Sequence, residues 1–370
     1  MKKTIAAILF AVLFLAAVSG CERSSVQAPE NAQQAAYQTA DETFCEKAAA
    51  EAAAFWESGE ASCPVLSRYG PYPSYYLDDG APLLSFWNDA QAGTDCELAL
   101  LFERPDGAVS YQALCVEGGW PYARFLRLEK REEGTIFASG FERYPVQEWN
   151  LTENGNFYYR LFPAGDKHYA DFQLIRTAAP DAANFAALER YILPVDYYYV
   201  NLLITDWDED HDDAVSLNDL FDRLFSLQTG AQPDVSRYFQ DEAGIFHIPA
   251  AEFEAAVLPY FALSPQALRD RAGFDAETQT YPWRPIETND MERYDYPAVE
   301  PYITKIQKNA DGTKTLLVSV LSTDVPTDCL FSHELTVRDT SGGGFQFVSN
   351  RVTFQTEYGL PNSTPRLSVT

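Results

Sequence analysis

The densest concentration of reactive side chains is the run DWDEDHDDAVSLND, residues 206–219, in which six carboxylates occupy the first eight positions. Asp208, Asp210 and Asp212 alternate, the aliphatic Val215 interrupts the polar residues, and Asp219 closes the run. Oxygen donors at such intervals suit a hard divalent cation, because calcium takes six to eight oxygens at about 2.4 Å. The bland alternative is a solvated acidic loop with a helix cap, although a solvated face has no need to alternate its acids. Catalytic signals elsewhere are sparse. The four histidines, His168, His211, His247 and His333, fall in no H-E-x-x-H, and there is neither a G-x-S-x-G elbow nor a Gly-rich phosphate loop. With 54 Asp and Glu residues, no particular carboxylate pair stands out for glycoside cleavage. Catalytic residues are therefore left unassigned.

The acidic run and its flanks resemble the EF-hand and dockerin calcium loop over about 25 residues. The resemblance implies one Ca2+ held by Asp208, Asp210, Asp212, the Ala214 carbonyl, Ser216 and Asp219, with Val215 at the inner aliphatic position. It also implies an incoming helix carrying Val200, Ile204 and Trp207, and an outgoing one carrying Leu217, Leu220, Phe221 and Leu224, with Ser216 as its cap. Starting the loop at Asp206 instead puts Leu217 at the last ligand position. Two departures are Asp213 where such loops carry glycine and Asp219 where they carry glutamate. A second segment matches at Asp241, Ile248 and Glu252, but Ala243 and Ile245 fall on ligand positions. Pro249-Ala-Ala-Glu252 reads more simply as a helix start.

The amino terminus says where the chain works. Lys2 and Lys3 precede the uncharged apolar residues 4–19, which end at small residues before Cys21. That is a secretion signal, too short for a membrane span of roughly twenty residues. Val18-Ser19-Gly20-Cys21 resembles the bacterial lipobox, which implies cleavage after residue 20, lipidation of the Cys21 thiol and palmitate-type anchoring at the extracytoplasmic face of the cell membrane. Residues 21–38 read as a polar tether.

Forty-six per cent of the residues are hydrophobic, ample for a core, and the formal charge of −27 becomes −29 once Lys2 and Lys3 leave with the signal. Such a body repels nucleic acid and anionic head groups, which leaves cations, neutral glycans or proteins as surface ligands. Besides Cys21 there are five cysteines, an odd number for an exported chain. Cys96 and Cys115 flank Pro105-Asp106-Gly107 almost symmetrically, which predicts a hairpin that brings them within disulfide reach.

Positioning these residues calls for an α+β fold. Thr39 and Glu42 form a capping box before a helix to about Glu57, with Phe44, Ala48, Ala52, Phe55 and Trp56 on one stripe. Short alternating runs between residues 83 and 177, separated by hairpin turns, predict an antiparallel meander. A helical region follows over 181–275, with Ser264-Pro265 as a helix start, and strands return over 276–370 around Asp311-Gly312 and Gly342-Gly343-Gly344. The units are thus 1–20, 21–38, 39–180, 181–275 with the loop 208–219, and 276–370. Tyrosines and prolines cluster in RYGPYPSYYLDDG (68–80) and RYDYPAVEPY (293–302), a texture suited to sugar rings or to sheet edges. The functional expectation is a lipid-anchored, calcium-stabilised binding module, with a surface hydrolase of glycans or peptides as the alternative.

Overall fold

The computed structural model describes residues 28–131, 135–162, 172–286, 296–361 and 364–367. The first helix, α1 (Ala28–Ser58), begins eleven residues before the expected capping box. Residues 28–38 therefore continue the helix, because Ala and Gln favour it and Pro29 falls in the first turn, where its missing N–H costs nothing. Phe44, Ala48 and Ala52 are buried as the stripe required, packed on the outer face of the first β-region with Leu101, Tyr111, Ala113 and Leu126.

That region is a closed eight-stranded barrel. Six antiparallel strands form the meander: β3 (Cys96–Glu103), β4 (Val109–Glu117), β5 (Trp120–Lys130), β6 (Ile136–Leu151), β7 (Asn156–Leu161) and β8 (Gln173–Arg176). Two three-residue strands, β1 (Val65–Ser67) and β2 (Tyr75–Leu77), pair with each other and close the gap by lying parallel to β3 and β8. Breaks in register at Phe125/Arg127 and Val146/Glu148 add the local twist that curls the sheet. Side chains alternate along each strand. On β4, Leu114 and Val116 point into the barrel and Tyr111, Ala113 and Cys115 point at α1. Helix α2 (Ala81–Gln91) plugs one end, with Phe86 and Trp87 stacked edgewise on Trp149.

The rest of the chain shares one hydrophobic core. A five-stranded sheet runs β13 (Val299–Lys308), β14 (Lys314–Ser322), β15 (Phe331–Asp339), β16 (Phe345–Gln355), with β9 (Trp207–Asp208) on the edge beside β16. Helices α3 (Ala182–Tyr191), α4 (Leu217–Thr229), α5 (Ala250–Val257) and α6 (Pro265–Arg271) pack against it with a small sheet of β10 (Phe239–Gln240), β11 (Phe246–Pro249) and β12 (Thr280–Trp283). As the sequence required, Ser264 Oγ caps α6 by accepting from Ala267 N at 3.1 Å. The barrel strands and the C-terminal strands belong to separate sheets.

Barrel and body meet through Tyr158, Phe172, Leu174, Tyr302 and Leu321. Beside them Glu300, almost fully buried on β13, accepts from Ser74 Oγ and from Tyr76 OH at 2.9 Å, with Arg176 4.0 Å away. Burial pushes the Glu300 carboxyl up, and Ser74, Arg176 and Tyr76 pull against that shift.

A candidate ligand cleft beside the acidic loop

The acidic loop does not have EF-hand geometry. Residues 193–206 form turns instead of an incoming helix, with Asp196 and Tyr199 at positive φ (58° and 68°), and Trp207–Asp208 joins the sheet edge. Val200, Ile204 and Trp207 are buried all the same. Their spacing marks one buried face, which an irregular chain satisfies as well as a helix does. The six expected ligands do not converge on one point. Asp208 Oδ1 accepts from the backbone of Asp210 and His211 and faces His211 Nδ1 at 3.0 Å. Asp210 offers only its backbone N–H to that turn. Asp212 is clamped by Arg271, whose Nη1 lies 2.5 Å from its Oδ2 and whose Nη2 lies 2.5 Å from its carbonyl. The Ala214 carbonyl accepts from Asn201 Nδ2 at 2.7 Å, and Asn201 Oδ1 takes Ser216 N at 3.0 Å. Ser216 stands at the N-cap of α4 without capping it; its hydroxyl faces Asp219.

Asp219 itself is interior, bound to Arg366. Arg366 Nε and N reach the two Asp219 carboxylate oxygens at 3.1 Å each, and Nη1 reaches Asp222 Oδ2 at 2.9 Å. Burial pushes the Asp219 carboxyl up and Arg366 partly offsets it. Guanidinium groups thus stand where the resemblance puts a metal. Among the described residues no three His, Cys, Asp or Glu side chains gather as a metal would need. The Asp241 segment is the β10–β11 hairpin turn, Asp241 Oδ1 accepting from Ala243 N and Ile245 N at 2.9 Å.

The disulfide expectation is overturned by one residue of register. Cys96 pairs with Val116 and Cys115 with Glu97. Gly107, at φ 77°, makes the G1-type bulge that adds the extra residue to the turn, and a shift of one moves a side chain to the opposite face. Cys96 lies near Phe86 O at the barrel end, Cys115 lies under α1, and both are free thiols. Cys21 and His168 lie outside the described residues.

A cavity of about 780 Å³ opens between the turns before β9, helix α4 and the end of β12. Tyr198, Tyr199, Trp283 and Tyr296 supply aromatic surface, and Asp196, Asp324, Arg223 and Gln232 supply polar groups. Ile286 and Tyr296 on its rim flank residues 287–295, which lie outside the described residues. Two donors belonging to lining residues, Arg223 Nε and Trp283 Nε1, are buried and lack a hydrogen-bond partner among the described residues. Burial pushes the Asp196 carboxyl up, against the pull of Tyr197 N and Arg223. A tyrosine at φ 68° is costly for a bulky side chain and persists only where its surroundings hold it. Tyr198 OH accepts from Val299 N at 2.9 Å, which fixes one wall to β13. No spacing rule joins residues 196, 223, 283 and 324; of this wall, sequence reasoning singled out only the neighbourhood of Tyr296, through the tyrosine-proline texture of 293–302.

These features define a closed barrel coupled to an α/β body that carries an aromatic, acid-rich cleft. A model of a family of unknown function, DUF6070, matches residues 25–366, and the chain belongs to that family. No curated protein and no solved structure matches it.

Proposed function

We propose that the chain is a lipid-anchored, extracytoplasmic binding protein that takes an oxygen-rich, uncharged ligand, such as a glycan segment, in the cleft beside α4. The observation that carries the reading is a cleft walled by Tyr198, Tyr199 and Tyr296 and edged by the polar groups of Asp196, Asp324, Arg223 and Gln232. Tyrosine faces suit the C–H face of a sugar ring, and the net charge of −27 disfavours polyanions. The anchor rests on the lipobox resemblance at Cys21, and no described helix is long and apolar enough to cross a membrane. Calcium has no part in this reading, because three of the six expected donors, Asp212, Asp219 and the Ala214 carbonyl, are held by Arg271, Arg366 and Asn201.

The alternative, glycan hydrolysis, is favoured by one feature, the raised carboxyl of Asp196 in the same cleft, since a general acid needs a raised pKa. Calorimetry of the mature chain against neutral oligosaccharides of the cell envelope, with product analysis, separates the two. Binding without turnover, weakened at least tenfold in Arg223→Met, is expected. Turnover abolished by Asp196→Asn establishes the hydrolase, and neither binding nor turnover removes both readings. Detergent partition tests the anchor: wild type should enter the detergent phase and Cys21→Ala should not.

A further inference from the structure

The barrel holds a second cavity. Its α2-plugged half is filled by Phe86, Trp87, Trp149 and Phe157, whereas the other half encloses about 300 Å³. Leu100, Phe102, Phe125 and Leu161 give it an apolar wall. Gln112 and Tyr159, joined by a 2.8 Å hydrogen bond from Nε2 to the hydroxyl, are its polar spot inside the barrel. At the rim stands Arg104, whose Nη1 lies 3.5 Å from Ser110 Oγ and whose buried Nε has no partner. Arg68 stands over two of the lining rings, its guanidinium 4.7 Å from the Tyr75 ring centroid and 5.2 Å from that of Phe102.

Among the described residues neither Arg68 nor Arg104 makes an ion pair, although acids outnumber bases two to one in this chain. Glu103, adjacent to Arg104 in sequence, is exposed, and Asp106, two residues on, is taken by Arg127 at 2.8 Å. Glu142 also lines the rim, where it is exposed and takes the Tyr144 hydroxyl. A half-buried guanidinium at the mouth of an apolar chamber is the chemistry that selects an amphiphile with an anionic head.

We propose that the barrel mouth binds a small organic monocarboxylate, its carboxylate on Arg104 and its acyl chain or single ring inside the barrel. The volume sits at the small end for ligand sites, which excludes a two-chain lipid. The excess negative charge of the body and Glu142 at the rim disfavour a dianion. This site is separate from the cleft beside α4 and stands without it.

The test is calorimetry of the mature chain with decanoate, phenylacetate, decanol and decyl phosphate. Decanoate or phenylacetate should bind, with decanol and dianionic decyl phosphate at least tenfold weaker than decanoate, the scale of a hydrogen bond to a charged group. Arg104→Met should lower decanoate affinity at least tenfold and leave decanol unchanged, and Arg104→Glu should abolish decanoate binding. Because Arg104 lies on the rim, both variants should keep the wild-type circular dichroism. Absence of binding by both carboxylates at millimolar concentration, equal affinity for decanol and decanoate, or unchanged decanoate affinity in Arg104→Met each overturns the proposal.

Discussion

Replacing Arg366 with alanine removes the cation that holds two interior carboxylates. The side chains of Asp219 and Asp222 are 4% and 5% exposed and that of Arg366 is 8% exposed, so all three charges lie within the fold. Breaking such a group by deleting one partner costs about 3–5 kcal/mol, because the remaining charge is left desolvated. Two considerations set the value. Arg366 serves two acids and donates to the carbonyls of Asp219 and Arg284, which argues for the upper end. Against this, the burial that pushes the Asp219 carboxyl up lets it take a proton once the cation is gone, which caps the loss. About 3–4 kcal/mol results, a large part of the roughly 5–15 kcal/mol that domains possess. Urea denaturation at pH 7 of wild type, Arg366→Ala and the triple variant Arg366→Met, Asp219→Asn, Asp222→Asn measures it. The triple variant, which removes the charges together, should lose less than the single one. A loss below about 1 kcal/mol in Arg366→Ala would refute the lock and class the contact with surface pairs.

Further outcomes follow from the same geometry. Because Asp212 and Asp219 are already neutralised, millimolar calcium should leave the melting temperature unchanged; a rise reversed by chelator would restore the ion-loop reading. His333 is buried neutral between Tyr197 OH (2.7 Å) and Asn350 Oδ1 (2.6 Å), and burial pushes it down to about 4 from an ordinary value near 6.5. The unfolded chain therefore binds the proton first as pH falls, so this contribution is whole above pH 6.5 and lost progressively between about 6.5 and 4, reaching ~3 kcal/mol; His333→Gln should flatten the pH dependence of urea midpoints there. Gly155 stands at φ 78° with Thr177 Oγ1 2.1 Å from where a Cβ would lie, so Gly155→Ala should cost at least ~2 kcal/mol by denaturation, and Thr177→Ser should not rescue it. Thiol titration of unfolded, unreduced protein should count Cys96 and Cys115 as free; a mass lower by one disulfide would overturn the observed register.

What was legible in the sequence is local. Pro105-Asp106-Gly107 and Asp311-Gly312 mark real hairpins, Ser264-Pro265 starts a helix, and the stripe of Phe44, Ala48 and Ala52 is buried. Each of these depends on neighbours within a few residues. The barrel did not announce itself, because its closing strands are three residues long and carry no period-two pattern. Cys96 and Cys115 were misplaced because a bulge moves the register by one, and side-chain direction has a period of two. The surroundings of the acidic loop are illegible for another reason: its counter-charges, Arg271 and Arg366, lie 59 and 147 residues away from Asp212 and Asp219. Carboxylate spacing records a need for positive charge and does not record what supplies it.

The arginines then separate into two kinds. Arg271 and Arg366 are enclosed with the acids they neutralise, and Arg176 sits beside the buried Glu300 where barrel meets body. Arg104 and Arg223 differ: each lines a cavity, each has a buried Nε without a partner, and neither makes an ion pair. Arg68 too makes no ion pair among the described residues; what sets Arg104 and Arg223 apart is that both line a cavity. Loss of an enclosed arginine strands a desolvated acid and weakens the fold, whereas Arg104 holds no acid among the described residues and Arg223 only eases the buried charge of Asp196, so losing either should cost little. Substitution at these two sites should therefore spare stability and act on ligands alone, and denaturation midpoints measured beside binding affinities for the same variants would separate the two kinds.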